Sequence, residues 1–95
     1  MSPQVVHNRA ALRFEVEVEG RRCVAEYRIA GKLMTMTHTY VPPRLEGHGI
    51  AAVLVAQALA YARQEGLRVR SACSYVSRYM QRHPDTLDLC EDPAD

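Results

Sequence analysis

The chain has little cysteine, and what it has is poorly spaced for cross-linking: Cys23, Cys73 and Cys90 form an odd set with no close pair. Neither a disulfide framework nor a C-x-x-C zinc site fits that arrangement, and reduced thiols are expected. The four histidines, His7, His38, His48 and His83, are scattered without an H-E-x-x-H helix face, so metal chemistry is not expected. A long hydrophobic run is missing, since nothing approaches the roughly 20 apolar residues that span a bilayer. An excess of charge of one sign is missing as well. The 12 Lys and Arg against 11 Asp and Glu leave a formal charge of +1, which excludes the broad basic field of a typical nucleic-acid binder. Any affinity for phosphate must therefore come from local geometry. Met1-Ser2-Pro3-Gln4 opens neither a signal peptide nor an arginine-rich transit segment, and the cytoplasm is the expected compartment.

What is present suits one small domain over residues 1–95: 47% of the residues are hydrophobic and 24% charged, enough apolar material for a core. The first half reads as strands. Leu12, Phe14, Val16 and Val18 alternate with Arg13, Glu15, Glu17 and Glu19, a period of two that gives a strand one apolar and one charged face. Glu19-Gly20-Arg21 marks a turn. A second strand runs from Arg22 to about Ala30 with Cys23, Ala25, Tyr27 and Ile29 on one face, Gly31-Lys32 reverses the chain, and a third strand follows from Leu33 to Val41. Pro42-Pro43 stops it, because proline cannot donate to a ladder.

The character then changes. Ile50, Val53, Leu54, Ala58, Tyr61, Ala62 and Glu65 recur at helical spacing in an alanine-rich stretch, with Gly66 as its terminating residue. Leu67–Ala72 reads as a fourth strand, parallel to the third through a right-handed crossover. Ser71 or Ser74 caps a shorter helix, Tyr75–Arg82, that His83-Pro84-Asp85 ends. The acidic end, Glu91-Asp92-Pro93-Ala94-Asp95, is expected to fray. The architecture expected is a mixed α/β layer with a four-stranded sheet and two helices.

Arg44-x-x-Gly47-x-Gly49 lies where strand gives way to helix. Glycines there let a ligand approach the backbone, and the first free amides of the helix carry a partial positive charge, a construction that suits a pyrophosphate. Arg44 adds a charged fork. Glu46 is expected to turn its side chain to solvent and present only its N–H, and His48 to point outward. The same spacing also describes an ordinary glycine-rich turn. Gly47-x-Gly49-x-x-Ala52 further satisfies a dinucleotide fingerprint, but the acid due about 20 residues later is replaced by Arg68, Arg70 and Ser71, and the chain is too short for a doubly wound sheet.

An antiparallel meander, then R-x-x-G-x-G opening an alanine-rich helix, then another strand, resembles the core of the GNAT superfamily of N-acetyltransferases. His38-Thr39-x-Val41-Pro42, Gly47-His48-Gly49-Ile50-Ala51, Ala58-Leu59-x-x-Ala62-Arg63, Cys73-Ser74-Tyr75-Val76-x-x-Tyr79 and Arg82-His83-Pro84 resemble its compact, single-domain YjdJ-type branch, from about Arg9 to Leu89. The resemblance implies acetyl-coenzyme A in a cleft where the third and fourth strands splay. The backbone of Thr39, Tyr40 and Val41 would pair with the pantetheine arm. The amides of Glu46, Gly47, His48, Gly49, Ile50 and Ala51, with Arg44, would hold the diphosphate.

For chemistry, Cys73 precedes a helix N-terminus, which favours thiolate, and is either a nucleophile taking the acetyl group or a bystander. His38 is the candidate base for an amine acceptor, or else a solvent-facing strand residue. Tyr79 is the candidate proton donor to the leaving thiolate, with Tyr75 an equal contender by helix phase. Arg78, Arg82 and His83 either meet the adenosine 3′-phosphate or are solvated charge. Two functions follow: acetyl transfer from acetyl-coenzyme A to an amine, or a coenzyme A-binding or partner-recognition module of the same fold with little turnover. Convergence of His38, Cys73 and Tyr79 on one cleft beside Gly47–Gly49 favours the first.

Overall fold

A computed structural model describes residues 4–91. Strands β1 (Val6–Asn8), β2 (Arg13–Val18), β3 (Arg21–Ala30), β4 (Leu33–Tyr40) and β5 (Arg68–Ser71) form one sheet in sequential order, with helices α1 (Ile50–Gln64) and α2 (Ser74–Arg82). All neighbours are antiparallel except β4 and β5, which run parallel in the register Leu33↔Arg68 to Met36↔Ser71. The β2–β3 hairpin turns on Glu19 and Gly20, both left-handed (φ 52° and 74°), the pair of positive φ angles whose twist matches that of the flanking strands.

The core lies between one face of the sheet and the helices. Phe14, Val16, Cys23, Ala25, Tyr27, Met34, Met36 and Val69 meet Leu54, Val55, Ala58, Leu59 and Ala62 of α1 and Val76 and Met80 of α2. Alanines on the buried face of α1 let it lie close to the strands, and each fully buried Leu or Met contributes about 1.5–3 kcal/mol by leaving water.

β4 carries one irregularity that sets the site. Glu26 pairs with His38 and Tyr27 with Met36, so Thr37 has no partner across the ladder. This bulge resets the alternation. Beyond it Thr39, opposite buried Ala25, continues the core-facing side, whereas His38, opposite Glu26, faces outward. β4 and β5 also part here: Ala72 donates its N–H to Met36 O at 2.9 Å in the last bond between them.

Two expectations change. Among the described residues the sheet has five strands, not four, because Val6–Asn8 adds an edge strand that shows no alternation in the sequence. What holds it is an aromatic cluster. His7 stacks on Phe14 (4.0 Å between centroids, 8° between planes), meets Tyr61 edge-on at 4.4 Å, and hydrogen-bonds the Tyr27 hydroxyl through Nε2 at 2.6 Å. Glu91, expected to fray, is tied down: its N–H donates to Val69 O at 2.9 Å and its carboxylate accepts two bonds from Arg70 at 2.6 Å. Cys90 bridges Val69, and Arg63 and Arg68 grip Asp88 and the Asp85 carbonyl, so residues 85–91 line the outer side of β5. The rest of the acidic end, residues 92–95, and the opening residues 1–3 lie outside the described residues.

Burial, reinforced by the charge of Arg9, holds the His7 imidazole below its ordinary value. As pH falls, the unfolded chain therefore takes up this proton first. The contribution to stability is full above about pH 6.5, the ordinary imidazole value, and is lost progressively below it, toward the lowered folded-state pKa. Urea unfolding measured from neutral to mildly acid pH should lose stability across that window in the wild type and less steeply in His7→Gln; parallel slopes would remove His7 from the account.

Candidate active site

Where β4 and β5 part, a groove of about 430 Å³ opens, lined by Thr39 and Val41, by Leu45, Glu46, Gly47 and Gly49 of the loop, by Ile50 and Ala51 of α1, and by Tyr75 of α2. Pro43–Leu45 forms a 3-10 turn that buries Leu45 as the groove's apolar wall and delivers the chain to α1. Gly47 and Gly49 are both left-handed (φ 86° and 79°), and Gly49 is the N-cap of α1 without any side-chain cap. A Cβ at either position would meet nothing within 4 Å, so both face open space.

The amides sort sharply. Leu45 N–H donates to Pro42 O at 2.8 Å and Glu46 N–H to Pro43 O at 3.2 Å, and intrahelical bonding resumes with Val53 N–H to Gly49 O. Between them, among the described residues, none of the amides from Gly47 to Ala52 donates to a protein acceptor. Six successive donors at a helix N-terminus form a nest for an anion. The Glu46 amide, expected to belong to this set, is already spent within the 3-10 turn, and Ala52 extends the set by one.

Cys73 is the half-buried N-cap of α2, a position expected for Ser71 or Ser74, neither of which caps the helix. Ser71 instead bonds the Cys73 carbonyl at 2.9 Å and Ser77 Oγ at 2.7 Å, stiffening the turn. The Cys73 thiol contacts Thr39 Oγ1 at 3.6 Å across the parted strands. Burial pushes this thiol up, but the amides of Val76, Tyr75 and Thr39 and the Thr39 hydroxyl outweigh it, and the net result lies below the ordinary thiol value. Burial raises the Tyr75 phenol, with the neighbouring Tyr79 adding to the effect.

The three catalytic candidates do not share this groove. Cys73 stands beside it through Thr39. His38 is on the outer face of the sheet, its ring stacked over exposed Tyr40 at 6.4 Å, because the bulge at Thr37 turned it there. Tyr79 stacks on His83 at 3.9 Å and lines a separate depression between α1 and the C-terminal segment, with Arg63 and Asp85 at its rim. Its neighbour Tyr75 is the tyrosine in the groove. Arg44 and His48 do not line the groove but a neighbouring depression beside Val18 and Glu19. The Tyr40 backbone continues β4 but is paired to Val24 of β3. Arg78 and Arg82 are exposed on α2.

A parallel pair of strands parting over a helix that begins with unpaired amides is the layout of an N-acetyltransferase domain. The GCN5-related N-acetyl-transferase family matches residues 13–89, and the chain belongs to that family. Among its relatives, Protein NATD1 of Gallus gallus is 34% identical over 84 residues, 85% of this chain and 76% of that protein. Protein NATD1 of Homo sapiens is 33% identical over 84 residues, 85% of this chain and 74% of that protein. The solution structure of a GCN5-like protein from Staphylococcus aureus superimposes with a TM-score of 0.74 at 19% identity, covering 92% of this chain and 86% of that one, a likeness of fold. Among the described residues no helix is long and apolar enough to cross a membrane.

Proposed function

We propose that the groove binds acetyl-coenzyme A and that the chain transfers its acetyl group to an amine. The observation that carries this reading is the run of six unpaired amides, Gly47–Ala52, at the mouth of a groove opening between β4 and β5. The residues fit such a ligand: neutral amide donors suit a diphosphate, Leu45, Ile50 and Val41 supply apolar wall, and the β4 edge beyond Met36 is left without its β5 partner, ready for an extended arm to lie along it.

When bound, the thioester supplies an electrophilic carbonyl carbon. The chain's part is to orient it, exclude water and manage protons. Cys73, with its depressed pKa, is the nucleophile of this reading, and Thr39 and the α2 amides hold its thiolate. Tyr75, kept protonated by burial, serves as proton donor in place of Tyr79. His38, on the far face, takes no part. The dispersal of His38 and Tyr79 favours the second reading, a coenzyme A-binding module of the same fold with little turnover.

Thermal unfolding with coenzyme A tests the binding. At about 100 times Kd the ligand stabilises by roughly 2.7 kcal/mol, a rise on the order of 10 °C for a domain this small. An unchanged melting temperature refutes both readings. Intact mass after incubation with acetyl-coenzyme A then addresses Cys73: the wild type should gain one acetyl group and Cys73→Ala none. An unmodified wild type removes the covalent route and leaves direct attack by the amine.

A further inference from the structure

Among the described residues the groove is lined by one charged residue, and its sign is wrong for the proposed ligand. Of the residues lining it, Glu46 alone is ionisable with a carboxylate, and it immediately precedes the six unpaired amides. Arg44, the cation expected to counter the diphosphate, does not line the groove but a neighbouring depression beside Val18 and Glu19. Glu46 is exposed, and among the described residues its carboxylate has no hydrogen-bond or ion-pair partner. Its amide is committed to Pro43 O. The residue therefore brings a carboxylate to the groove and no donor.

We propose that Glu46 opposes the diphosphate and so makes retention of a ligand depend on its arm. This inference rests on the coenzyme A reading of the groove. The amide nest attracts a diphosphate through dipoles, and the neighbouring carboxylate offsets that attraction. Diphosphate contacts alone are then too weak to retain a ligand, and retention depends on an arm lying along β4. Coenzyme A, which has both parts, stays bound at concentrations where a nucleoside diphosphate is released; the arm sets the ratio between the two, and Glu46 lowers both affinities alike. Partial cancellation also keeps the hold on the diphosphate loose enough for product to leave between turnovers.

Titration calorimetry of the full chain with coenzyme A, ADP and pantetheine tests this. At low salt Glu46→Gln should bind coenzyme A and ADP each roughly tenfold more tightly than wild type, the effect of a unit charge a few ångströms away in a partly solvated setting. Pantetheine, without the diphosphate, should be unaffected. The advantage should shrink toward nothing near 1 M salt, where charges are screened over about 3 Å. The unliganded melting temperature should stay at the wild-type value, because the side chain holds nothing in the fold. Unchanged affinity for both diphosphates overturns the proposal. So does weakened affinity, the result if the carboxylate shared a divalent cation with the ligand. If the wild type binds no coenzyme A at all, the underlying reading fails and takes this one with it, a result distinct from a wild type that binds and a variant that binds equally.

Discussion

Gly49→Glu is expected to abolish the coenzyme A-dependent rise in melting temperature. Gly49 combines a left-handed φ of 79°, an unpaired amide and open space on its Cβ side. The substitution therefore does two separable things. It places an L side chain in a left-handed conformation, which costs about 1–2 kcal/mol whatever the side chain is. It also sets a carboxylate over the donors that a diphosphate needs. Gly49→Ala isolates the first effect: its unliganded melting temperature should fall by a few degrees while part of the ligand response survives. In Gly49→Glu the unliganded melting temperature should fall comparably and the response vanish. A full response in Gly49→Glu would mean that the ligand is held elsewhere.

Phe14→Ala should have the largest effect on the fold. Phe14 is the only phenylalanine in the chain and is 3% exposed. Its ring stacks on His7 and lies 5.9 Å from the Tyr27 ring and 6.0 Å from Tyr61. Truncation removes the surface that orders β1 and loosens the C-terminal half of α1 at the same time. Buried Phe→Ala changes cost about 3–5 kcal/mol, against a total stability of about 5–15 kcal/mol for an ordinary domain. The denaturant midpoint should drop to a fraction of its wild-type value. A loss below 1 kcal/mol would show that the cluster is not a keystone of the packing.

The sequence was most informative where local chemistry decides structure. Pro42-Pro43 ended β4 and the glycines opened α1 where expected, because φ restriction acts within a few residues. The parallel crossover was legible from the order of elements, and the GNAT resemblance from its motifs. What was hidden depended on distant partners. β1 owes its place to rings contributed by β2, β3 and α1, a debt that three residues cannot advertise. The Glu91 clasp depends on Arg70, 21 positions away. The bulge at Thr37 matters most for the site. Strict alternation from Met34 and Met36 assigns His38 to the groove side, whereas one unmatched residue exchanges it for Thr39. Ring position on α2 was equally undecided from spacing; Tyr75 lines the groove and Tyr79 a separate depression.

The clasp along β5 has a practical corollary. Strand ladders left bare recruit whatever backbone is near, including that of sister molecules. Residues 85–91 act as a built-in selvage on this side of the sheet. Trimming the chain ahead of Cys90 would convert a finished margin into an adhesive one, and polymeric assembly would follow from a cut that leaves the groove's lining whole.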